Sequence, residues 1–149
     1  MTEFPEPQVG LVISYSYLWS EEAERGQIEG RKDRPCAIIV ALEHAISETA
    51  HRKQVAVVPI THSPPRHLAS SLEIPPRVKA HLGLDSERSW VILDDVNVFI
   101  WPGYDLRPIK SRGGRIDYGF LPPRLFDQLI EKFKALASQG KIDHTSRDE

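Results

Sequence analysis

The chain of 149 residues contains a single cysteine and no apolar run that approaches the roughly 20 residues a membrane helix needs. Its N-terminal stretch, MTEFPEPQVG, lacks the basic start and long apolar segment of a signal peptide. Cys36 lies inside an apolar run, where a cysteine packs as a small hydrophobic side chain. Together these absences predict a cytoplasmic protein without a membrane segment.

Motifs for cofactors and metals are missing as well. There is no glycine-rich phosphate loop, no paired-cysteine zinc spacing and no HExxH helix. Among the six histidines, His62 and His67 fall near each other, but their neighbourhood in the sequence offers no further ligands. We therefore expect neither a metal nor a cofactor.

The chain has no large excess of basic or of acidic residues, and its formal net charge is −2. This balance argues against a protein that coats nucleic acid through its whole-surface field, so any RNA contact must come from a local patch. The best candidate is RPIKSRGGR, residues 107–115, which has four basic residues and no acid. Gly113 and Gly114 equally suit a flexible, solvated loop, and both interpretations stay open.

What the chain does contain is typical of a globular domain. Hydrophobic residues make up 40% and charged residues 27%, which argues against global disorder, and the length suits one domain over residues 1–149. A polar, glycine-punctuated stretch over 20–34 is expected to be a long loop. Apolar and β-branched runs predict strands, the middle two of which form a central hairpin. These runs are 9–19, 36–42, 54–62 and 89–103, the last interrupted at Asp94-Asp95.

Helical spacing of apolar residues is clearest near the C-terminus. A periodic apolar face begins at Pro123 and is closed by Gly140. A shorter helix over 77–84 is expected to end at Gly83, and residues 141–149 are expected to form a disordered tail. The predicted fold class is mainly β with a C-terminal helix, as a small curled antiparallel sheet or barrel.

A knot of charge stands at the mouth of the second strand, in the stretch GRKDRPCAIIVA of residues 30–41. One interpretation is a charged turn that keeps the hairpin soluble and stops the strand from being extended. The other is that Arg34, fixed by Pro35, faces a cleft and acts on an anion, with Arg31 and Lys32 contacting RNA.

The order of these motifs resembles the PemK/MazF family of toxins from type II toxin-antitoxin systems. GLVISYSY resembles the family's first strand, and GRKDRPCAIIVA the glycine, gap, Arg-Pro and apolar strand that follow a variable loop. VAVVPITH is similar to the strand that ends in a small hydroxyl residue, and LDDVNVFIW to the later Asp-Gln-hydrophobic stretch. YGFLPPRLFDQLIEKF resembles the glycine and terminal helix, so the similarity spans Gly10 to about Leu136.

This resemblance implies an SH3-like barrel with a C-terminal helix, a homodimer, and an RNA groove inhibited by a cognate antitoxin protein. It also implies metal-independent cleavage of single-stranded RNA, by attack of the ribose 2′-hydroxyl on the adjacent phosphate. The family's catalytic arginine falls on Arg34, its hydroxyl residue on Thr61, and the acid at its RNA-binding face on Asp94. Asp95 replaces the family's Gln, and Asn97 stands where a basic residue is common, so the groove is less basic.

The residue types can be tested against that chemistry. Arg34 can stabilise the charge of the transition state, because its forked donors fit phosphate oxygens. Thr61 either holds a phosphate oxygen or is merely a β-branched strand residue. His62 is a secondary candidate acid or base if the strand has already ended, and otherwise a solvated histidine.

The remaining candidates have alternatives too. Arg112 and Arg115 are the RNA-binding candidates of the basic segment. The adjacent residues Asp94 and Asp95 are expected to mark an edge bulge or a turn and not to form a carboxylate pair. The three tryptophans either stack bases or complete the core, and we expect at least two of them in the core.

Two functions from different classes remain. The first is an endoribonuclease toxin. The second is a non-catalytic SH3-like toxin-fold module that binds a protein target, as the related gyrase-binding toxins do. Arg34 with Thr61 favours the first, whereas the acidic balance and Asn97 favour the second.

Overall fold

The computed structural model describes residues 4–28, 30, 32–45 and 47–147, so the RNA-binding candidate Arg31 lies outside the described residues. Within these ranges the chain forms eight strands and three α-helices. The strands are β1 (Leu11–Ser16), β2 (Asp33–Ala45), β3 (His51–Thr61), β4 (Ser71–Glu73), β5 (Trp90–Ile92), β6 (Asp95–Ile100), β7 (Asp117–Phe120) and β8 (Asp143–Ser146). The helices are α1 (Ser20–Glu24), α2 (Pro76–Leu82) and α3 (Pro123–Ser138).

The strands form one curled sheet, in the order β4-β5-β3-β2-β1-β7, with antiparallel pairing along this path. β3 is the centre, since one edge pairs with β2 and the other pairs with β6 and then with β5. The predicted hairpin of β2 and β3 is present, and it continues beyond the apolar runs as far as the pair Ala45 and His51. The predicted fold class, mainly β with a C-terminal helix in a small barrel-like sheet, is confirmed.

Two apolar clusters fill the two faces of this sheet. Neighbouring strand residues point to opposite faces, so Val12 belongs to one cluster and Ile13 to the other. The first cluster includes Leu125 and Leu129 of α3, and the second includes Phe99 of β6. Burying one leucine side chain contributes roughly 2 kcal/mol, so the apolar face of α3 is enough to hold the helix on the sheet.

The predicted long loop over 20–34 is interrupted by α1. The Glu22 carboxylate accepts a hydrogen bond from the Trp19 backbone N–H at 3.1 Å, which caps this single turn of helix. None of the helices in the described ranges is long and apolar enough to cross a membrane.

The sequence predicts a disordered tail over residues 141–149, and the structure differs there. Residues 143–146 of this tail form β8, which pairs in parallel with β6. Arg147 anchors it, because its side chain is only 3% exposed and donates to the Ser16 carbonyl at 2.8 Å and to Asn97 Oδ1 at 2.9 Å. Local sequence does not indicate this anchor, since the two partners lie 131 and 50 residues away.

Candidate active site

Arg34 and Thr61 lie beside each other at the ends of the two central strands. β2 and β3 are antiparallel, with Cys36 opposite Pro59. Arg34 and Thr61 each lie two residues beyond this pair on their strands, and both line the same two clefts. The sheet therefore brings together the arginine and the hydroxyl residue that the resemblance implies.

Two clefts meet at this pair, and Arg34, Thr61 and Lys32 line both of them. The small cleft has a volume of about 320 Å³, and its wall also contains His62, Lys79 and Asp85. The large cleft has a volume of about 610 Å³, and its wall also contains Trp19, Glu21, His67 and Asp94. Clefts of this size accommodate small ligands or single nucleotides.

The Arg34 guanidinium is half-buried and lies over the Trp19 indole, with 5.2 Å between its Cζ atom and the ring centroid. Its Nε atom is buried and has no hydrogen-bond partner among the described residues. Burial lowers the pKa of Arg34, yet arginine stays charged at neutral pH. A cation held on an aromatic face at the wall of both clefts is suited to an anion, which favours the cleft interpretation of the charged knot.

Thr61 and His62 share the small cleft because β3 ends at Thr61. The condition that the sequence sets for His62 as an acid or base is therefore met. Thr61 Oγ1 accepts a hydrogen bond from the Ser63 backbone N–H at 3.1 Å. This leaves the hydroxyl proton of Thr61 to donate to an oxygen of a ligand.

His62 is held by a carboxylate that is itself held by a buried lysine. Its Nε2 lies 2.7 Å from Asp85 Oδ2, and its Nδ1 lies 3.6 Å from Glu87 Oε2. The side chain of Lys79 is 5% exposed, and its Nζ lies 2.6 Å from Asp85 Oδ1. That hydrogen bond is the main reason that the pKa of Asp85 is lowered. Sequence reasoning missed Lys79 and Asp85, although Lys79 shares the buried face of α2 with Leu82, one turn later.

His62, Asp85 and Glu87 are also the one group in the described ranges whose residue types and spacing could hold a metal ion. Their ligand atoms all lie within 4.8 Å of one another, and all three side chains are exposed. However, the Lys79 ammonium already bonds Asp85, and its charge would repel a metal cation at that carboxylate. The group is better suited to hydrogen bonding than to metal binding.

Asp94 and Asp95 have different environments. β5 ends at Ile92 and β6 begins at Asp95, so Asp94 lies in the predicted break between strands, half-buried at the large cleft. The Asp95 carboxylate accepts hydrogen bonds from the Tyr17 hydroxyl at 2.5 Å and the Ser20 hydroxyl at 2.6 Å. Burial raises the pKa of both aspartates. Both aspartates line the large cleft, but the Asp95 carboxylate is already bound by Tyr17 and Ser20.

The two departures from the family pattern, Asp95 and Asn97, share a structural role. They lie two residues apart on β6 and so face the same side of the sheet. Asn97 is fully buried, donates to the Leu18 carbonyl at 2.6 Å and accepts from the Leu18 backbone N–H at 3.0 Å. With Asp95 bound to the next turn of chain, these side chains fix Trp19 beside Arg34.

The two RNA-binding candidates of the basic segment 107–115, Arg112 and Arg115, lie outside both clefts. Arg112 donates to the Leu82 carbonyl at 2.7 Å, and Arg115 Nη2 lies 3.0 Å from Asp117 Oδ1. Neither arginine lines the small or the large cleft. The charge of Arg115 is therefore compensated by Asp117, and the Arg112 side chain is held on α2 by a neutral carbonyl.

The tryptophans divide as expected. Trp90 and Trp101 are buried in the fold, with 6% and 8% of their surface exposed. Trp19 is the one that lines the large cleft, where it supports Arg34. A base stacked in that cleft would therefore meet Trp19 rather than the other two.

No protein-family model matches the chain, and no curated protein sequence matches it. What the site does is therefore inferred from Arg34, Thr61 and the two clefts that they share.

Proposed function

We propose that the protein is an endoribonuclease that cleaves single-stranded RNA without a metal ion. The observation that carries this proposal is the pairing of Arg34 and Thr61 where the two clefts meet. A guanidinium and a hydroxyl that can donate both stand at the wall of these clefts. These groups suit a phosphate whose neighbouring nucleotides occupy the two clefts.

In this reaction the ribose 2′-hydroxyl attacks the adjacent phosphorus. The O2′–P bond forms and the P–O5′ bond breaks, which leaves a 2′,3′-cyclic phosphate and a 5′-hydroxyl end. Arg34 stabilises the negative charge that builds on the non-bridging oxygens, and Thr61 donates to one of them. Neither group transfers the proton that the leaving 5′-oxygen needs.

The lining of the clefts favours an unpaired strand. A base freed from pairing can stack on Trp19 in the large cleft. Carboxylates such as Asp94 and Glu21 repel phosphate there and accept hydrogen bonds from base amino groups. Lys32 lines both clefts and adds a second cation near the phosphate.

We further propose that the protein is a cytoplasmic toxin that inhibits growth. In this proposal it forms a homodimer and is neutralised by a cognate antitoxin protein. The support for this is the resemblance to the PemK/MazF family in motif order. Sedimentation tests the dimer, and a monomer at micromolar concentration would contradict it. A small reading frame immediately upstream of the gene would be the candidate antitoxin, and its co-expression should restore growth.

Incubation of the purified protein with long single-stranded RNA in excess EDTA tests the activity. We expect cleavage to cyclic phosphate ends, and Arg34→Ala should lower its rate by roughly a hundredfold or more. Arg88→Ala is the matched control, because Arg88 also lies over a tryptophan ring, at 5.0 Å, but lines neither cleft. Absence of cleavage, or its removal by EDTA, would contradict the proposal.

The second candidate is a non-catalytic module that binds a protein target. It is favoured by the acidic wall of the large cleft, which suits a basic peptide segment better than a polyanion. The acidic residues of this wall are Glu21, Glu24, Asp94, Asp95 and Asp143. Intact RNA after the EDTA assay, together with capture of a basic peptide by the wild type and not by Asp94→Asn, would favour this function.

A further inference from the structure

A chain of hydrogen bonds runs from the buried side of α2 to the wall of the small cleft. Lys79 Nζ lies 2.7 Å from Ser89 Oγ and 2.6 Å from Asp85 Oδ1, and it also donates to the Glu87 carbonyl. Asp85 Oδ2 lies 2.7 Å from His62 Nε2. Each of the three ammonium protons of Lys79 thus has an acceptor, so the buried charge is satisfied.

This arrangement keeps Asp85 ionised and holds its carboxylate by hydrogen bonds. Its Oδ1 accepts from Lys79 and from the Glu87 backbone N–H at 3.1 Å. The hydrogen bond from the ammonium lowers the pKa of Asp85, so the carboxylate keeps its charge well below neutral pH. A fixed carboxylate opposite one ring nitrogen sets both the orientation and the tautomer of a histidine.

The other nitrogen of His62, Nδ1, makes no short hydrogen bond to the carboxylate nearest to it. Its distance of 3.6 Å from Glu87 Oε2 is longer than a hydrogen bond, and the Glu87 side chain is 71% exposed. A protonated imidazole donates from both nitrogens, and here Nε2 is used by Asp85. Nδ1 is therefore the nitrogen left to give a proton to a ligand in the small cleft, which His62 lines together with Arg34 and Thr61.

We propose that His62 is the general acid of the cleavage and that Asp85 and Lys79 are its positioning residues. This inference rests on the proposed endoribonuclease function. As the P–O5′ bond breaks, the Nδ1 proton of the His62 imidazolium passes to the leaving O5′. The 2′-hydroxyl proton passes to solvent water, and water returns a proton to the neutral imidazole, so the cycle balances.

A pair of substrates separates this role from a structural one. A short RNA is made with the ordinary 5′-oxygen at the scissile phosphate or with sulfur in its place, because a thiolate leaves without a general acid. In single-turnover assays, His62→Ala should lower cleavage of the oxygen substrate by about a hundredfold, and Asp85→Asn by about tenfold. On the sulfur substrate both variants should cleave at nearly the wild-type rate.

The controls use the same protein and the same two RNAs. Arg34→Ala should fail on both substrates, since it stabilises the phosphate whatever the leaving group is. Glu73→Gln makes the same kind of change at an exposed carboxylate that pairs with Arg88, and it should match wild type on both. Lys79→Met also removes a buried charge, so Asp85→Asn is the variant that tests the proposal. For Lys79→Met only the ratio of its cleavage rates on the oxygen and sulfur substrates is compared with that of wild type.

The outcomes are distinct. Equal losses on both substrates in His62→Ala and Asp85→Asn would overturn this assignment and leave the endoribonuclease standing. Wild-type rates in both variants on the oxygen substrate would do the same. Failure of the wild type on both substrates would overturn the proposed function and this inference together.

Discussion

The Cζ atom of Arg34 lies 5.2 Å from the centroid of the Trp19 ring, and this contact joins the mouth of β2 to the segment that follows β1. Trp19 is held because Asn97 binds the backbone of Leu18 and Asp95 binds that of Ser20. An aromatic face supports a cation and limits its motion without using its hydrogen-bond donors. The position of the Arg34 guanidinium therefore depends on side chains of β6, a strand that lies far along the sequence from the charged knot.

Replacement of Arg34 by lysine should restore only part of the activity that Arg34→Ala loses. An ammonium keeps the charge but cannot make the forked contact to two phosphate oxygens, so we expect a rate roughly tenfold below wild type. Single-turnover cleavage of a long single-stranded RNA measures the difference, with melting temperature as the control for folding. An Arg31→Ala effect as large as that of Arg34→Ala would instead mean that the charged knot acts as a whole.

RNA binding should weaken with salt through Lys32 and not through Arg115. Lys32 lines both clefts, whereas Arg115 is paired with Asp117. Lys32→Gln should reduce the slope of log affinity against log salt by about 0.7, the contribution of one phosphate contact to a single strand. The matched change Arg115→Gln should leave the slope as in wild type. A reduced slope in Arg115→Gln with an unchanged slope in Lys32→Gln would instead show that the segment 107–115 contacts the RNA phosphates.

Loss of the Arg147 side chain should destabilise the fold although it belongs to the C-terminal tail. Its Nη2 lies 3.0 Å from Asp105 Oδ1, and both side chains are largely buried. Without Arg147 the Asp105 carboxylate keeps only the more distant Arg107 Nη2, at 4.0 Å, so Arg147→Met should lower the free energy of unfolding by about 3 kcal/mol. Urea denaturation measures this change, and Arg124→Met on the exposed face of α3 is the control. Equal stability of the two variants would show that the tail is dispensable.

Asp95 should make the stability of the protein depend on pH. Burial raises its folded pKa above the unfolded value, which is near 4, so the folded state holds the proton more tightly. Its contribution is therefore fully present below about pH 4 and lost as the pH rises through the folded pKa. Because Asp95→Asn does not titrate at this position, the unfolding free energy of wild type minus that of the variant should decrease from pH 4 to pH 7. Urea denaturation at both pH values tests this, and an increase would contradict it.

Elements with strong local patterns are the ones that the sequence predicts correctly. α2 ends at Gly83, whose φ of 70° is rare for residues other than glycine, and α3 covers the periodic apolar stretch. Such signals act over a few residues, so they can be recognised without knowing the fold. β8 has no comparable signal, because it is held by pairing with β6 and by the contacts of Arg147.

The sequence by itself determined the mainly β fold with its C-terminal helix, and the position of Arg34 at the start of a strand, whereas the end of β3 at Thr61 came from the structure. Only the tertiary structure decided that these ends meet at two shared clefts, that Trp19 supports the guanidinium, and that Asp85 orients His62. The reason is physical: periodicity and chain breaks are properties of neighbouring residues, whereas a contact of a few ångströms between distant residues depends on strand register and on the packing of the whole core.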